Sequence, residues 1–166
     1  MYGSVIDMEE ILEILERNNR LSEEQIAVML NKSVEEVRAA IKRLEEENVI
    51  LGYTTVVNWE KTNKETVTAL IEVKVTPQRG EGFDKVAERI YRYPEVKACY
   101  LMSGGFDLTV IVEGKTMKEV ALFVAEKLAP LESVLSTATH FVLKKYKDKG
   151  TIFEEKEKDD REAVIL

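Results

Sequence analysis

Apolar positions in the first third of the chain recur three and four residues apart. Met8, Ile11, Leu12 and Leu15 predict a first helix, stopped at Asn18-Asn19. Ser22-Glu23-Glu24-Gln25 and Ser33-Val34-Glu35-Glu36 read as two capping boxes, in which a serine oxygen accepts a backbone N–H and the third residue on reaches back. The first opens a short helix with Ile26 and Leu30 facing inward, broken at Asn31-Lys32. The second opens a helix striped by Val34, Val37, Ile41 and Leu44, with Asn48 at its end. Three helices, the last two joined by a tight turn, form a helix-turn-helix pattern whose last helix enters a DNA major groove. A generic three-helix bundle is the plainer alternative.

The rhythm then changes. Tyr53 to Asn58 is a short β-branched run, and Trp59 to Glu65 is polar. From Val67 to Thr76, Ala69, Ile71, Val73 and Val75 alternate with Thr68, Leu70, Glu72 and Lys74, the period of a strand ended by Pro77. Phe83, Val86, Ala87, Ile90 and Tyr91 return to helical spacing. Val96 to Met102 predicts a second strand, Ser103 to Asp107 a turn, and Leu108, Val110 and Val112 a third strand closed by Gly114. Met117, Val120, Ala121, Val124 and Leu128 write a second helix, and Val134 to Lys145 a fourth strand. This βαββαβ order is the ferredoxin-like unit, with both helices on one sheet face. Its other face must be solvated or covered, and dimerisation through it is expected.

Composition narrows the chemistry. Among 166 residues there is one cysteine, Cys99, and one histidine, His140, too few for a disulfide or a soft-ligand zinc site. Cys99 reads as a small buried hydrophobe. There is no P-loop or assignable catalytic triad, and no cofactor is expected. No stretch is long and apolar enough for a membrane span, and the first residues lack a signal-peptide pattern, so a cytoplasmic location is expected.

With 24 basic and 31 acidic residues the net charge is -7. Taken alone, that argues against nucleic acid, because phosphate binding needs a positive surface. The distribution matters more. Residues 1–64 hold 8 basic and 13 acidic side chains, and many acids lie on the first helix and at the end of the third. A local basic patch can act despite a distant acidic face, since the Debye length is about 8 Å at physiological salt. On a helical wheel Glu35, Ala39, Lys42, Arg43 and Glu46 point outward, with Arg38 at the flank. Arg38 and Lys42 can reach one groove or adjacent phosphates, and Ala39 can touch a thymine methyl. Ser33 can donate to phosphate at the helix N-terminus, and Arg20 and Lys32 flank the turn as backbone contacts. Ordinary pairing with Glu35, Glu36, Glu45, Glu46 or Glu47 is the alternative for these cations.

A second site is suggested by Gly104-Gly105, which exposes backbone N–H groups to a ligand. Asp107 offers a carboxylate to an α-amino group, and threonine hydroxyls add hydrogen bonds. That set suits a zwitterion. The alternative is a plain hairpin turn with Asp107 satisfying turn N–H groups.

The run Ile6-Asp7, Ile11-Leu12, Leu15, Ser22, Ile26-Ala27, Ser33, Val37, Ile41 to Glu45, Val49-Ile50 and Gly52-Tyr53 resembles the DNA-binding half of the Lrp/AsnC transcription regulators. Ser103 to Asp107, the alternating strand after it, and Thr137-Ala138-Thr139 resemble that family's effector domain. The resemblance covers about residues 6–146. It implies an α+β chain: a winged helix-turn-helix domain in residues 1–52, a linker strand and hinge in 53–65, and a ferredoxin-like βαββαβ effector and oligomerisation domain in 66–146; the charged tail in 147–166 lies outside the common pattern. It implies Met102, Ser103, Gly104, Gly105, Phe106 and Asp107 at an effector pocket between subunits, with Thr137 and Thr139 as auxiliaries. It implies double-stranded DNA, an amino acid or related small molecule, and a homodimer assembling to higher oligomers such as an octamer. The sequence departs from the family at Ala40, where a basic residue is usual, and at Asn48, where glycine is common. The first departure predicts weaker DNA contact; the second is conformationally mild. Two rival readings stand beside it. One is a haem-precursor decarboxylase-like enzyme, for which only His140 is available. The other is a ligand-sensing oligomer with weakened DNA binding.

Overall fold

A computed structural model describes residues 7–76 and 82–153, which form two compact units divided between Thr55 and Val56. Ile6, Pro77 and the acidic run from Glu154 lie outside the described residues.

The first unit holds α1 (Met8–Arg17), α2 (Glu23–Leu30) and α3 (Val34–Glu46). Asp7 caps α1 by accepting from the Glu9 N–H. Both expected capping boxes are present, at Ser22/Gln25 and Ser33/Glu36. They matter because helices of 8 and 13 residues are marginal alone, and a good N-cap contributes about 1 kcal/mol. Asn31 ends α2 and Asn48 follows α3, both in the left-handed conformation, with φ 51° and 57°. Asn48 thus does what glycine would do there. Ile11, Ala40 and Leu44 form one buried cluster, and Ile26, Ala27 and Val37 another.

The linker departs from expectation. Residues 53–58 form no strand, and Trp59–Lys61 is a 3-10 turn capped by Asn58. A β-branched run needs a ladder partner to become a strand, and none of the described strands pairs with it.

The second unit contains β1 (Val67–Val75), α4 (Asp84–Tyr91), β2 (Val96–Leu101), β3 (Leu108–Gly114), α5 (Met117–Phe123) and β4 (Val134–Phe141). The sheet is antiparallel in the order β2-β3-β1-β4, as a ferredoxin-like unit requires. Ala69, Ile71, Val73, Val110 and Val112 pack with Val86, Ile90, Val120, Phe123 and Leu128 on the helix-covered face. The register places Leu70, Glu72, Thr109, Ile111, Ala98, Tyr100, Ala138 and His140 on the other face. Cys99 pairs with Val110 on the covered face; it is half-buried, and burial pushes its thiol pKa up.

Two endings differ from the sequence reading. β4 stops at Phe141 rather than Lys145, and Leu143 is 88% exposed. The expected tail begins instead with a hairpin, β5 (Lys147–Asp148) paired to β6 (Thr151–Ile152). In addition, α5 passes into a π-turn, Val124–Leu128, closed by the Ala129 N–H on the Val124 carbonyl at 2.8 Å. That turn holds Lys127 on Glu95 at 2.6 Å, beside the edge-on rings of Tyr93 and Phe123.

Candidate functional site

The reading face of the first unit is built on α3. Val37, Ala40 and Leu44 are buried, which turns Arg38, Ala39, Lys42 and Arg43 to solvent. None of the three cations projects alone. Arg38 Nε donates to Glu23 Oε2 at 2.7 Å, Arg43 Nε donates to Glu47 at 2.7 Å, and Lys42 Nζ lies 3.6 Å from Glu46. The pairing alternative therefore holds for the free chain. Arg38 uses Glu23 of α2, an acid outside the set expected from sequence. The three cations are exposed and their partners are exposed or, for Glu23, half-buried, so each pair contributes about 0–1 kcal/mol and opens at little cost. Phosphate or a base edge can replace the carboxylates.

Ser33 is less available than expected. Its Oγ accepts the Glu36 N–H at 3.2 Å, and both its N–H and its hydroxyl donate to Glu36 Oε2 at 2.9 Å. The donation holds the Glu36 carboxyl below the usual carboxylate range. Glu36 therefore already occupies the helix N-terminus as an internal anion, and a phosphate would have to displace it. Arg20 is exposed, its backbone N–H on Asn18 Oδ1 at 3.1 Å. Lys32 is half-buried, its backbone N–H on the Ala27 carbonyl. Two contacts missed in the sequence tie down the segment after α3. The Tyr53 hydroxyl donates to Glu45 at 2.8 Å, and Asn19 Nδ2 donates to the Thr54 carbonyl at 3.1 Å.

The structure corrects the weight placed on Ala40. It is 4% exposed and packs with Ile11 and Leu44, so it does not face a groove. A basic side chain there would be buried. Ala40→Arg is expected to lower stability by about 1–3 kcal/mol or more through overpacking and charge burial, seen as a lower melting temperature. A melting temperature equal to the parent's would place the position at the surface after all.

The second candidate site is the turn between β2 and β3. The Met102 N–H donates to the Asp107 carbonyl at 2.8 Å and closes it. Gly104 has φ 130°, a conformation other residues rarely adopt, whereas Gly105 carries no such constraint. Met102, Ser103, Gly104 and Gly105 are exposed; Phe106 and Asp107 are partly buried. Asp107 does not cap the turn's own N–H groups. Its Oδ2 accepts the Val75 N–H at 2.8 Å, beside the irregularity between Lys74 and Val75, while its own N–H donates to the Val73 carbonyl at 3.1 Å. The carboxylate therefore staples β1 to the start of β3.

Thr137 lies opposite Val73, next to that staple, and Thr139 lies two residues further, opposite Ile71. Both share the helix-covered face and are half-buried. The structure brings Thr137 towards the turn and leaves Thr139 with the core. His140 sits on the opposite face, its Nε2 3.5 Å from Glu72. Among the described residues there is no cluster of histidine, cysteine and carboxylates able to hold a metal ion, and no helix long and apolar enough to cross a membrane.

The family model described as the Lrp/AsnC ligand binding domain matches residues 68–152, and that for a winged helix-turn-helix DNA-binding domain matches residues 9–50. The chain belongs to the Lrp/AsnC family. It is 53% identical over 157 residues to the HTH-type transcriptional regulator YugG of Bacillus subtilis, covering 94% of each chain. It is 29% identical to the regulator LrpA of Pyrococcus horikoshii, covering 82% of this chain and 94% of that one. The solved transcriptional regulator NMB0573 of Neisseria meningitidis, in complex with L-Met, shares the fold at TM-score 0.70 and 23% identity, over 86% of this chain and 93% of that one. This Lrp/AsnC chain is a transcriptional regulator with a helix-turn-helix DNA-binding domain and a ligand-binding domain, and the enzymatic reading is set aside. The match to the ligand-binding model ends at residue 152, within β6.

Proposed function

We propose that this regulator is a cytoplasmic homo-oligomer whose binding to specific double-stranded DNA responds to an amino acid or a closely related small molecule. The observation that carries the ligand half is the turn after β2: exposed backbone at Ser103–Gly105 beside a fixed carboxylate at Asp107. The L-Met complex of the similarly folded Neisseria regulator supports an amino acid as the class. The open sheet face supports self-association, because Tyr100 there is 56% exposed and, among the described residues of this unit, both long helices pack on the other face. Arg38, Ala39, Lys42 and Arg43 read the DNA, with Arg20 and Lys32 on the backbone. A dimer would place two such heads about one helical turn, roughly 10 bp, or a multiple of it apart. The ligand acts by linkage: it shifts the assembly only as far as its affinity differs between the two states.

The test is retardation of the DNA upstream of its own gene, with and without a panel of the genetically encoded amino acids, alongside sedimentation. A specific complex whose stability changes with at least one amino acid is expected. A chain that binds this DNA identically in the presence of every amino acid would sink the effector half.

A further inference from the structure

The reading unit is a poor polyanion binder by its charge. Residues 7–55 hold twice as many acidic as basic side chains, and each α3 cation already has a carboxylate partner. The electrostatic part of DNA affinity scales with the phosphates neutralised. Positive charge is concentrated elsewhere. Lys144-Lys145-Tyr146-Lys147-Asp148-Lys149-Gly150 places four lysines in six residues, against one acid, Asp148, which lies 3.8 Å from Lys145.

The fold shapes this run into a fixed edge. Lys147 pairs with Ile152 and Asp148 with Thr151, leaving Lys149-Gly150 as a two-residue turn. The Phe153 N–H donates to the Tyr146 carbonyl at 3.0 Å, and Asn58 Nδ2 holds the Phe153 carbonyl at 3.5 Å. Lys144 and Lys145 line a groove with Asn58 and Trp59, and Lys64 lies 3.9 Å over the Trp59 ring. Lys147 and Lys149 are exposed.

Lys149 is also at odds with its backbone. Its φ is 46° and that of Gly150 is 76°, as a type I′ turn requires, and Asn-Gly is the favoured pair for such a turn. The other non-glycine residues with positive φ among those described are both asparagines, Asn31 and Asn48. At the hairpin tip a lysine stands where asparagine would be less strained.

We propose that the Lys144–Lys149 hairpin edge of the ligand-binding unit is a second DNA-contacting surface, which binds the phosphate backbone without reading sequence. This rests on the proposed DNA-regulating function and adds a contact outside the reading head. Cations on a hydrogen-bonded hairpin neutralise phosphates in any sequence and so supply the affinity that the acidic reading unit lacks. Longer DNA then binds more tightly than the operator alone.

The test measures the salt dependence of binding for two duplexes from the upstream region. One just covers the footprint of the reading heads; the other extends several helical turns beyond it. Lys147→Gln combined with Lys149→Asn removes two charges and keeps a residue that accepts the left-handed conformation. On the longer duplex its slope of log K against log salt is expected to be shallower by about 2 for each subunit engaged, at about 0.9 per phosphate contact. Lys147→Arg combined with Lys149→Arg restores the parent slope on the long duplex. Equal slopes for the neutral variant and the parent on the long duplex overturn the proposal. So does retention of the parent but not the variant on phosphatidylglycerol vesicles with an unchanged DNA slope, which gives the edge to a lipid surface. Failure of the parent to bind even the short duplex would instead overturn the proposed DNA-regulating function.

Discussion

Arg38→Ala combined with Lys42→Ala is expected to weaken binding to the upstream DNA by about a hundredfold or more, with the melting temperature nearly unchanged. The two side chains lie one helical turn apart on the exposed face of α3 and are paired with the half-buried Glu23 and the exposed Glu46. Losing those pairs costs the fold little, since surface ion pairs contribute about 0–1 kcal/mol. Glu23, left behind by Arg38, sits in the first turn of α2, where the helix dipole favours a negative charge. In the complex the balance reverses. A well-placed base contact is worth about 1–3 kcal/mol, so two lost contacts amount to about 2–6 kcal/mol. Fluorescence anisotropy with a labelled fragment, together with a thermal melt, separates the two effects. Unchanged affinity in the double variant would show that α3 is not the reading helix. A parallel fall in melting temperature would show that the pairs are structural.

The features legible in the sequence were those set by near neighbours. Ser22 with Gln25, and Ser33 with Glu36, are boxes closed over three residues, and each formed as read. The alternation of Ala69, Ile71, Val73 and Val75 determined which side of β1 is buried, and the rest of the sheet followed from the order of elements. Features that depend on distant partners were not legible. Ala40 is small enough to sit on either side of a helical wheel, and only packing against Ile11 places it inside. Val142 and Leu143 extend the apolar run of β4, but the pairing of β4 with β1 ends at Phe141 opposite Ala69. The Asp107–Val75 contact spans 32 residues and a strand irregularity. The β5–β6 hairpin did leave a local signal, since Asp148-Lys149-Gly150-Thr151 has a glycine where a type I′ turn needs one. The charge of the following segment masked it.

The staple also separates two explanations of Asp107 that a single alanine variant would confound. Asp107→Ala leaves the Val75 N–H without its acceptor, at a cost of about 1–3 kcal/mol. In a unit of this size that lowers the melting temperature by about 4–8 °C per kcal/mol. Any loss of amino-acid response could then come from a loosened turn. Asp107→Asn keeps a carbonyl oxygen that can accept the Val75 N–H but removes the negative charge. Its melting temperature is expected to stay much closer to the parent's than that of the alanine variant. If the carboxylate holds the ligand's ammonium group, the asparagine variant still loses about tenfold or more in amino-acid affinity, because a charge-assisted hydrogen bond is worth roughly twice a neutral one. Calorimetric titration with the amino acid that shifts the parent's DNA binding reads this directly. Parent-like affinity in the asparagine variant would assign Asp107 to the strands alone and move the amine contact to the exposed carbonyls of Ser103–Gly105. The response of the turn to ligand would then depend on the backbone conformation that Gly104 allows, since its φ of 130° is one that other residues rarely adopt.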